Sequence, residues 1–335
     1  MHILENISLK PYNTFGIDVE ARYFTTFSSM DELAELLDFK QAMPHIILGG
    51  GSNILLTKNV NALVEKNELT GINITAGNAD FVYVKSAAGE NWHQFVLYCI
   101  ANNLAGVENL SLIPGSVGAS PMQNIGAYGV DINDVFHELE AWHIADKKMV
   151  TFSIADCNFG YRESVFKHTY RGQFVITSVT FRLNKQPVFH TGYGAIAQEL
   201  EKMGVHNLSI KAISDAVIRI RQSKLPNPAE IGNAGSFFKN PTIPMEQYEK
   251  LQETFPAMVA YPTTNGMKLA AGWMIEQCDW KGYRKGDAGC HARQALVLVN
   301  YGNAKGEDIY NLSSEIVQSV HDKFGILLER EVNIL

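Results

Sequence analysis

The chain is short of paired cysteines, of long apolar runs and of positive charge, and each shortage removes a class of protein. Cys99, Cys157, Cys278 and Cys290 are scattered with no C-x-x-C pair, which argues against a disulfide framework and against a metal site. The doublet Cys290-His291 does not change that. No apolar stretch approaches the roughly 18 residues of a membrane span. Met1 to Asn6 also lacks a basic region followed by an apolar core, so the expectation is a soluble, cytoplasmic protein with no membrane partner. A formal net charge of −7 speaks against nonspecific nucleic-acid binding. An anionic small ligand stays possible where basic residues gather locally, as Arg219, Arg221, Lys224 and Lys239 suggest.

At 335 residues, with 46% hydrophobic and 19% charged, the chain is long enough for two or three folded units. Its most unusual stretch is Ser111 to Gly129, which packs four glycines and two prolines among small side chains and carries no charge. Glycine permits close backbone approach while proline presets φ and removes donors, so this is an irregular, preset loop. Its main-chain N–H groups suit a phosphate or the edge of a flat ring. A buried connection between elements fits the same composition. A second cluster, Gly49-Gly50-Gly51-Ser52-Asn53, follows the strand-like Ile46-Ile47-Leu48 and precedes Ile54-Leu55-Leu56. It is neither a dinucleotide fingerprint entering a helix nor a Walker A loop, since no helix and no Gly-Lys-Ser/Thr follows. Two bare-backbone clusters together point to an extended cofactor with phosphates and rings.

Periodicity predicts strands at Tyr23 to Phe27, Ile72 to Thr75, Phe81 to Ala87, Glu138 to Ile144, Met149 to Phe152, Phe174 to Leu183 and Ala295 to Asn300. Helices are expected over Met30 to Phe39 behind a Ser29/Glu32 capping box, and from Trp92 to Ile100 behind Asn91. Others are expected over Ala195 to Met203, Ile210 to Arg221, Met245 to Phe255, Leu269 to Cys278 and Glu307 to Phe324, with a strand-like tail from Ile326 to Leu335. The loose alternation fits an α+β fold. The proline-broken run Ser223 to Pro228 marks a boundary between residues 1–222, themselves split near 67, and residues 223–335, whose last strand is a candidate to return to the first domain.

Six motifs in one order carry a family resemblance: Gly-Gly-Gly-Ser-Asn, Pro-Gly-Ser-Val-Gly-Ala, Gln-Asn-Ile-Gly-Ala-Tyr-Gly, Phe-Gly-Tyr-Arg-Glu-Ser, Gly-Asn-Ala-Gly-Ser-Phe-Phe-Lys-Asn-Pro and a terminal Leu-Glu-Arg-Glu-Val. From Asn13 almost to its end the chain resembles the UDP-N-acetylenolpyruvoylglucosamine reductases. The resemblance implies an FAD-binding domain of the vanillyl-alcohol oxidase type followed by a smaller α+β substrate domain. It also implies reduction of UDP-N-acetylglucosamine enolpyruvate to UDP-N-acetylmuramate for peptidoglycan, with FAD as cofactor, NADPH as co-substrate and a monomeric enzyme. It puts the FAD diphosphate on Gly49, Gly50, Gly51, Ser52 and Asn53. The flavin and its linker fall on Pro114, Gly115, Ser116, Gly118, Ala119, Gln123, Asn124, Gly126, Ala127, Tyr128 and Gly129. Arg162, Ser236 and Glu331 become the catalytic residues, and Tyr193, Lys224, Asn240, Tyr261, Lys281 and Gln294 the substrate contacts. The loop Thr191-Gly192-Tyr193-Gly194 resembles that of the subgroup whose tyrosine closes over the nucleotide sugar. The tail departs from the family pattern: Arg330 stands where a proline is usual, and Asn333 where an arginine is.

The chemistry suits these residue types. Hydride addition to an enol ether builds charge beside the substrate carboxylate, and a guanidinium such as Arg162 matches a carboxylate with a fixed fork. Ser236 would donate a proton to the second carbon, a positioned transfer that typically contributes about 10² to 10⁴-fold. Glu331 would polarise the ether or relay a proton, with Glu329 as the competing candidate. Lys224, Lys239 and Lys281 would neutralise the diphosphate. Two other readings compete: a flavin oxidase of the same fold, against which stands the lack of a His attachment motif, and a noncatalytic flavin- or nucleotide-binding protein.

Overall fold

A computed structural model describes residues 2–39 and 43–335. The chain divides into two compact units. The first comprises Met1–Ile7, Ala21–Gly50 and Asn61–Ser223; the second comprises Ser8–Glu20, Gly51–Val60 and Lys224–Leu335.

The first unit holds two sheets. One has four strands in the order Leu4–Ser8, Glu20–Phe27, Val60–Asn67, His45–Leu48, the last two running parallel. Helix Met30–Asp38 turns Leu33, Leu36 and Leu37 onto a core with Phe27, and the Ser29 hydroxyl accepts from Glu32 N at 3.2 Å. The Glu32 carboxylate reaches one residue further back than a capping box requires, accepting from Ser28 N at 2.7 Å. Those bonds from Ser28 hold it below the usual carboxylate range. Strand Val60–Asn67 has no counterpart in the sequence expectations, because Glu65, Lys66 and Asn67 break any apolar pattern. Glu65 is fully buried all the same, with one carboxylate oxygen 2.7 Å from His45 Nδ1.

The other sheet is antiparallel throughout, in the order Lys148–Ser153, Phe136–His143, Phe174–Asn184, Phe81–Ala87, Ile72–Gly77. Helix Trp92–Ala101 lays Trp92, Phe95, Val96 and Cys99 into the same core, where the Phe95 and Phe181 rings stand 4.8 Å apart. Each such buried side chain contributes roughly 1.5–3 kcal/mol. Helices Ile196–Lys202 and Ile210–Lys224 share a separate apolar cluster that includes Tyr128. The second of these runs past the expected stop at Arg221, because the first proline able to break it is Pro226.

In the second unit an antiparallel sheet runs Gly232–Ser236, Val297–Asn300, Ala288–Cys290, Arg284–Lys285, with helix Gly306–Phe324 burying Ile309, Leu312, Ile316 and Val320. A small sheet of Thr242–Ile243, Gly266–Leu269 and Ala260–Thr263 accompanies helices Met245–Thr254 and Ala271–Gln277. The tail is extended but pairs less than its apolar pattern suggests. It makes one bridge between Arg330 and Phe238, and only Asn333–Ile334 forms a strand, parallel to Ile54–Leu55. Among the described residues no helix is long and apolar enough to cross a membrane, and no group of three or more His, Cys, Asp or Glu could hold a metal ion.

Candidate active site

The triple-glycine turn meets neighbouring segments so closely that side chains are excluded. In the first unit a Cβ added at Gly50 would lie 2.8 Å from Gly115 Cα, and one at Gly49 2.5 Å from Ser116 Oγ. In the second unit a Cβ at Gly51, whose φ is +61°, would run into the Tyr12 carbonyl oxygen. The loop that supplies Gly115 and Ser116 is less irregular than its composition suggests. Val117–Gln123 winds as a 3-10 helix around Pro121, ending at Asn124 in the left-handed region. Gly126–Ala127 and Val130–Asp131 then form a minimal hairpin, with Tyr128 at φ +53° in its turn.

Arg162 is brought to that hairpin by a mesh of bonds between two motifs distant in sequence. The Ser164 hydroxyl donates to Met122 O at 2.7 Å, and Asn124 Nδ2 donates to Gly160 O at 3.1 Å. The guanidinium itself donates from Nη1 to Asn124 O at 3.2 Å and from Nη2 to Gly126 O. Arg162 holds φ +57° on a residue with a Cβ, a conformation that costs of order 1–3 kcal/mol and persists only when surroundings impose it. Asp131 pairs with Gly126 across the hairpin, and its carboxyl is pushed up by burial and by Asp134, against the opposing pull of Asn124 and Arg162.

Ser236 and Glu331 both lie in the second unit, on segments joined by a backbone bond. Ser236 ends strand Gly232–Ser236 opposite Val297, just after a break in register and after Gly235 at φ +70°. Glu331 N donates to the carbonyl of Phe237, the next residue, at 2.8 Å. Phe237 and Phe238 are fully buried beneath this junction. The competing candidate Glu329 is tied elsewhere: its carboxylate meets Lys239 Nζ at 2.6 Å, and its carbonyl accepts from Lys239 N at 2.9 Å.

The substrate candidates stand in varied states. Tyr193 is 47% exposed, with its Cβ packed over Gly129, and Asn109 Nδ2 ties that loop to the hairpin by donating to both Tyr128 O and His190 O. Lys224 is exposed at a helix end, and Tyr261 is exposed on strand Ala260–Thr263. Asn240 accepts from Ala271 N at 2.9 Å, capping helix Ala271–Gln277. Lys281 meets Glu276 at 2.6 Å, and Gln294 Oε1 lies 3.3 Å from Leu296 N. Two of the expected basic residues have partners within their own units. Lys239 is a buried ion-pair partner, and Arg221 turns inward, its Nε donating to Leu112 O at 3.2 Å while burial and contact with Tyr128 pull its pKa in opposite directions. Sequence reasoning missed Asn109 altogether, since an asparagine in a turn-rich stretch carries no signal of the two carbonyls it bridges. Both tail departures have partners. Arg330 stacks 4.7 Å over Tyr310 and donates to Ser313 and Ser314, and Asn333 Nδ2 donates to Asn53 O at 3.0 Å.

Comparison with known proteins settles the family. Residues 21–153 match the FAD binding domain, and residues 227–335 match the UDP-N-acetylenolpyruvoylglucosamine reductase C-terminal domain. The UDP-N-acetylenolpyruvoylglucosamine reductase of Flavobacterium johnsoniae is 50% identical over 100% of both chains, and that of Pseudomonas putida is 47% identical over 98% of each. The chain belongs to the UDP-N-acetylenolpyruvoylglucosamine reductase family. The crystal structure of the reductase from Thermus caldophilus shares the fold, with a TM-score of 0.71 at 24% identity over 100% of this chain and 99% of that one.

A reductase of this family is a flavin-dependent oxidoreductase of peptidoglycan synthesis that uses FAD and NADPH, and its fold is α+β with an FAD-binding domain followed by a smaller domain. The chain's own geometry suits that cofactor. At Gly49, Gly50 and Gly51 the place of a Cβ is already taken by Ser116, Gly115 and Tyr12, so the turn offers main chain and no side chains.

Proposed function

We propose that Arg162, Ser236 and Glu331 are the catalytic residues of this reductase and that the triple-glycine turn, with the loop from Pro114 to Gly129, holds its FAD. The observation that supports the reading is the backbone bond from Glu331 N to the carbonyl of Phe237, which brings the main chain of Glu331 to the residue next to Ser236. Held by the turn and the loop, FAD would supply the hydride transfer between NADPH and the enolpyruvyl group. The chain's residues do the rest. Arg162, held in a fixed plane by its bonds to Asn124 O and Gly126 O, places its positive charge toward the substrate carboxylate, where negative charge accumulates. Ser236 donates its hydroxyl proton to the second carbon. Glu331 polarises the ether or returns a proton.

Residues 1–222 bind FAD and residues 223–335 bind the sugar nucleotide, in a monomeric cytoplasmic enzyme. Lys224, Asn240, Tyr261, Lys281 and Gln294 contact the nucleotide, and Tyr193 closes over it. Asn240 and Lys281 must give up or share their present partners to do so. The test is a visible spectrum of the purified protein. The flavin band should bleach on anaerobic addition of NADPH and return when the enolpyruvyl sugar nucleotide is added. A protein that purifies without flavin, or a band that returns only with oxygen, would reject the reading.

A further inference from the structure

The segment from Tyr12 to Gly16 lies in the second unit between the triple-glycine turn and the strand that ends in Ser236. Thr14 is bonded to both. Its N–H donates to Gly51 O at 3.1 Å, its hydroxyl donates to Asn233 O at 2.6 Å, and Asn233 N donates back to Thr14 O at 3.0 Å. The neighbours on either side are packed just as closely: the Tyr12 carbonyl blocks any Cβ at Gly51, and the Phe15 carbonyl blocks any Cβ at Gly232. The register of strand Gly232–Ser236 breaks between Asn233 and Ser236. Ser236 is therefore set from two sides: by its own pairing with Val297 and the bond from Phe237 N to Leu296 O, and, across the break on its N-terminal side, by Asn233. That residue is held by Thr14, while its own side chain donates to Pro226 O and Ile231 O and accepts from Gly235 N.

We propose that Thr14 is a positioning residue that links the seat of the FAD diphosphate to the location of the Ser236 hydroxyl; this rests on the assignments of the turn and of Ser236 made above. A threonine does this where valine of the same shape does not, because the short bond to Asn233 O needs the hydroxyl proton. The turn and the donor then move together or not at all.

The FAD-loaded Thr14→Val, Thr14→Ser, Ser236→Ala and Thr14→Val/Ser236→Ala variants test this. In Thr14→Val, FAD release should be faster, and the limiting rate of flavin reoxidation by substrate should fall by about 10-fold to 100-fold, the scale of a small misplacement. The substrate concentration at half-saturation and the rate of flavin reduction by NADPH should stay unchanged. Thr14→Ser should restore both properties, and the double variant should reoxidise no more slowly than Ser236→Ala alone. Thr14→Val within about twofold of the parent in either FAD release or reoxidation would overturn the proposal. So would a Thr14→Ser variant as damaged as Thr14→Val, or a double variant slowed by both losses. If Thr14→Val does not fold, Thr14→Ala carries the same expectations; failure of both to fold would make Thr14 a residue of the fold and also overturn the proposal. Normal reoxidation in Ser236→Ala would instead reject the underlying reading, whatever Thr14 does.

Discussion

Asn53 Nδ2 donates to the carbonyl of Glu331 at 3.4 Å, so the end of the glycine turn is bonded to the residue proposed to act beside Ser236. The bond is part of a seam. Asn333 donates from N and Nδ2 to Asn53 O, Leu335 N donates to Leu55 O, and both N and Oγ1 of Thr57 donate to Leu335 O. Removing Asn333 to Leu335 takes away these bonds, each worth about 0.5–1.5 kcal/mol net, and should lower stability by about 2 kcal/mol or more. The urea midpoint should drop, and FAD should leave faster. Unchanged values in both would mean that the seam is incidental.

Ser236→Ala should separate the two halves of the reaction. Flavin reduction by NADPH should proceed at the parent rate, while reoxidation by substrate slows by about 10² to 10⁴-fold, the usual worth of a positioned proton transfer. Rapid mixing with each partner in turn gives both rates.

Arg162→Lys keeps the charge but not the fork. An ammonium on this backbone cannot reproduce the Nη1 and Nη2 bonds to Asn124 O and Gly126 O while also meeting a carboxylate in a plane. We expect kcat/KM to fall by about 10² to 10³, as when one donor to developing charge is lost. Steady-state kinetics over a range of substrate concentrations decides it; a change confined to KM would show that Arg162 only binds.

Gly50→Ala should shift the main chain at Gly115 and Ser116, proposed to hold the flavin, without unfolding the unit. Its Cβ would press on Gly115 Cα, main chain that has no side-chain rotation with which to yield. The variant should purify with much less yellow colour per protein than the parent while keeping its far-ultraviolet dichroism.

The thiols offer a check independent of activity. Burial pushes Cys157 and Cys290 up to about 12 and Cys99 higher still, because a thiolate loses its hydration there. Cys278 alone among the four is partly exposed. A thiol reagent at pH 8 should titrate one cysteine in the native protein and all four in denaturant. Fast reaction of a second native thiol would contradict the packing around it.

How much of this was legible in the chain depended on whether the signal was local. Helix Trp92–Ala101 announces itself through apolar residues one turn apart behind an asparagine cap, and the glycine turn through residues that only a bare backbone requires. Strand Val60–Asn67 did not, because Glu65 is buried in it against a histidine that arrives from another strand. The order of six short motifs was enough to indicate the family and the chemistry, since each needs particular residue types at fixed spacing. Which of two glutamates in the tail bonds through its N–H to the carbonyl of Phe237, which lysine is consumed by an ion pair with Glu329, and what Thr14 and Asn109 hold could not be read there. Those facts are meetings between segments far apart in the chain, and a sequence records the spacing of neighbours but not the distances that folding closes.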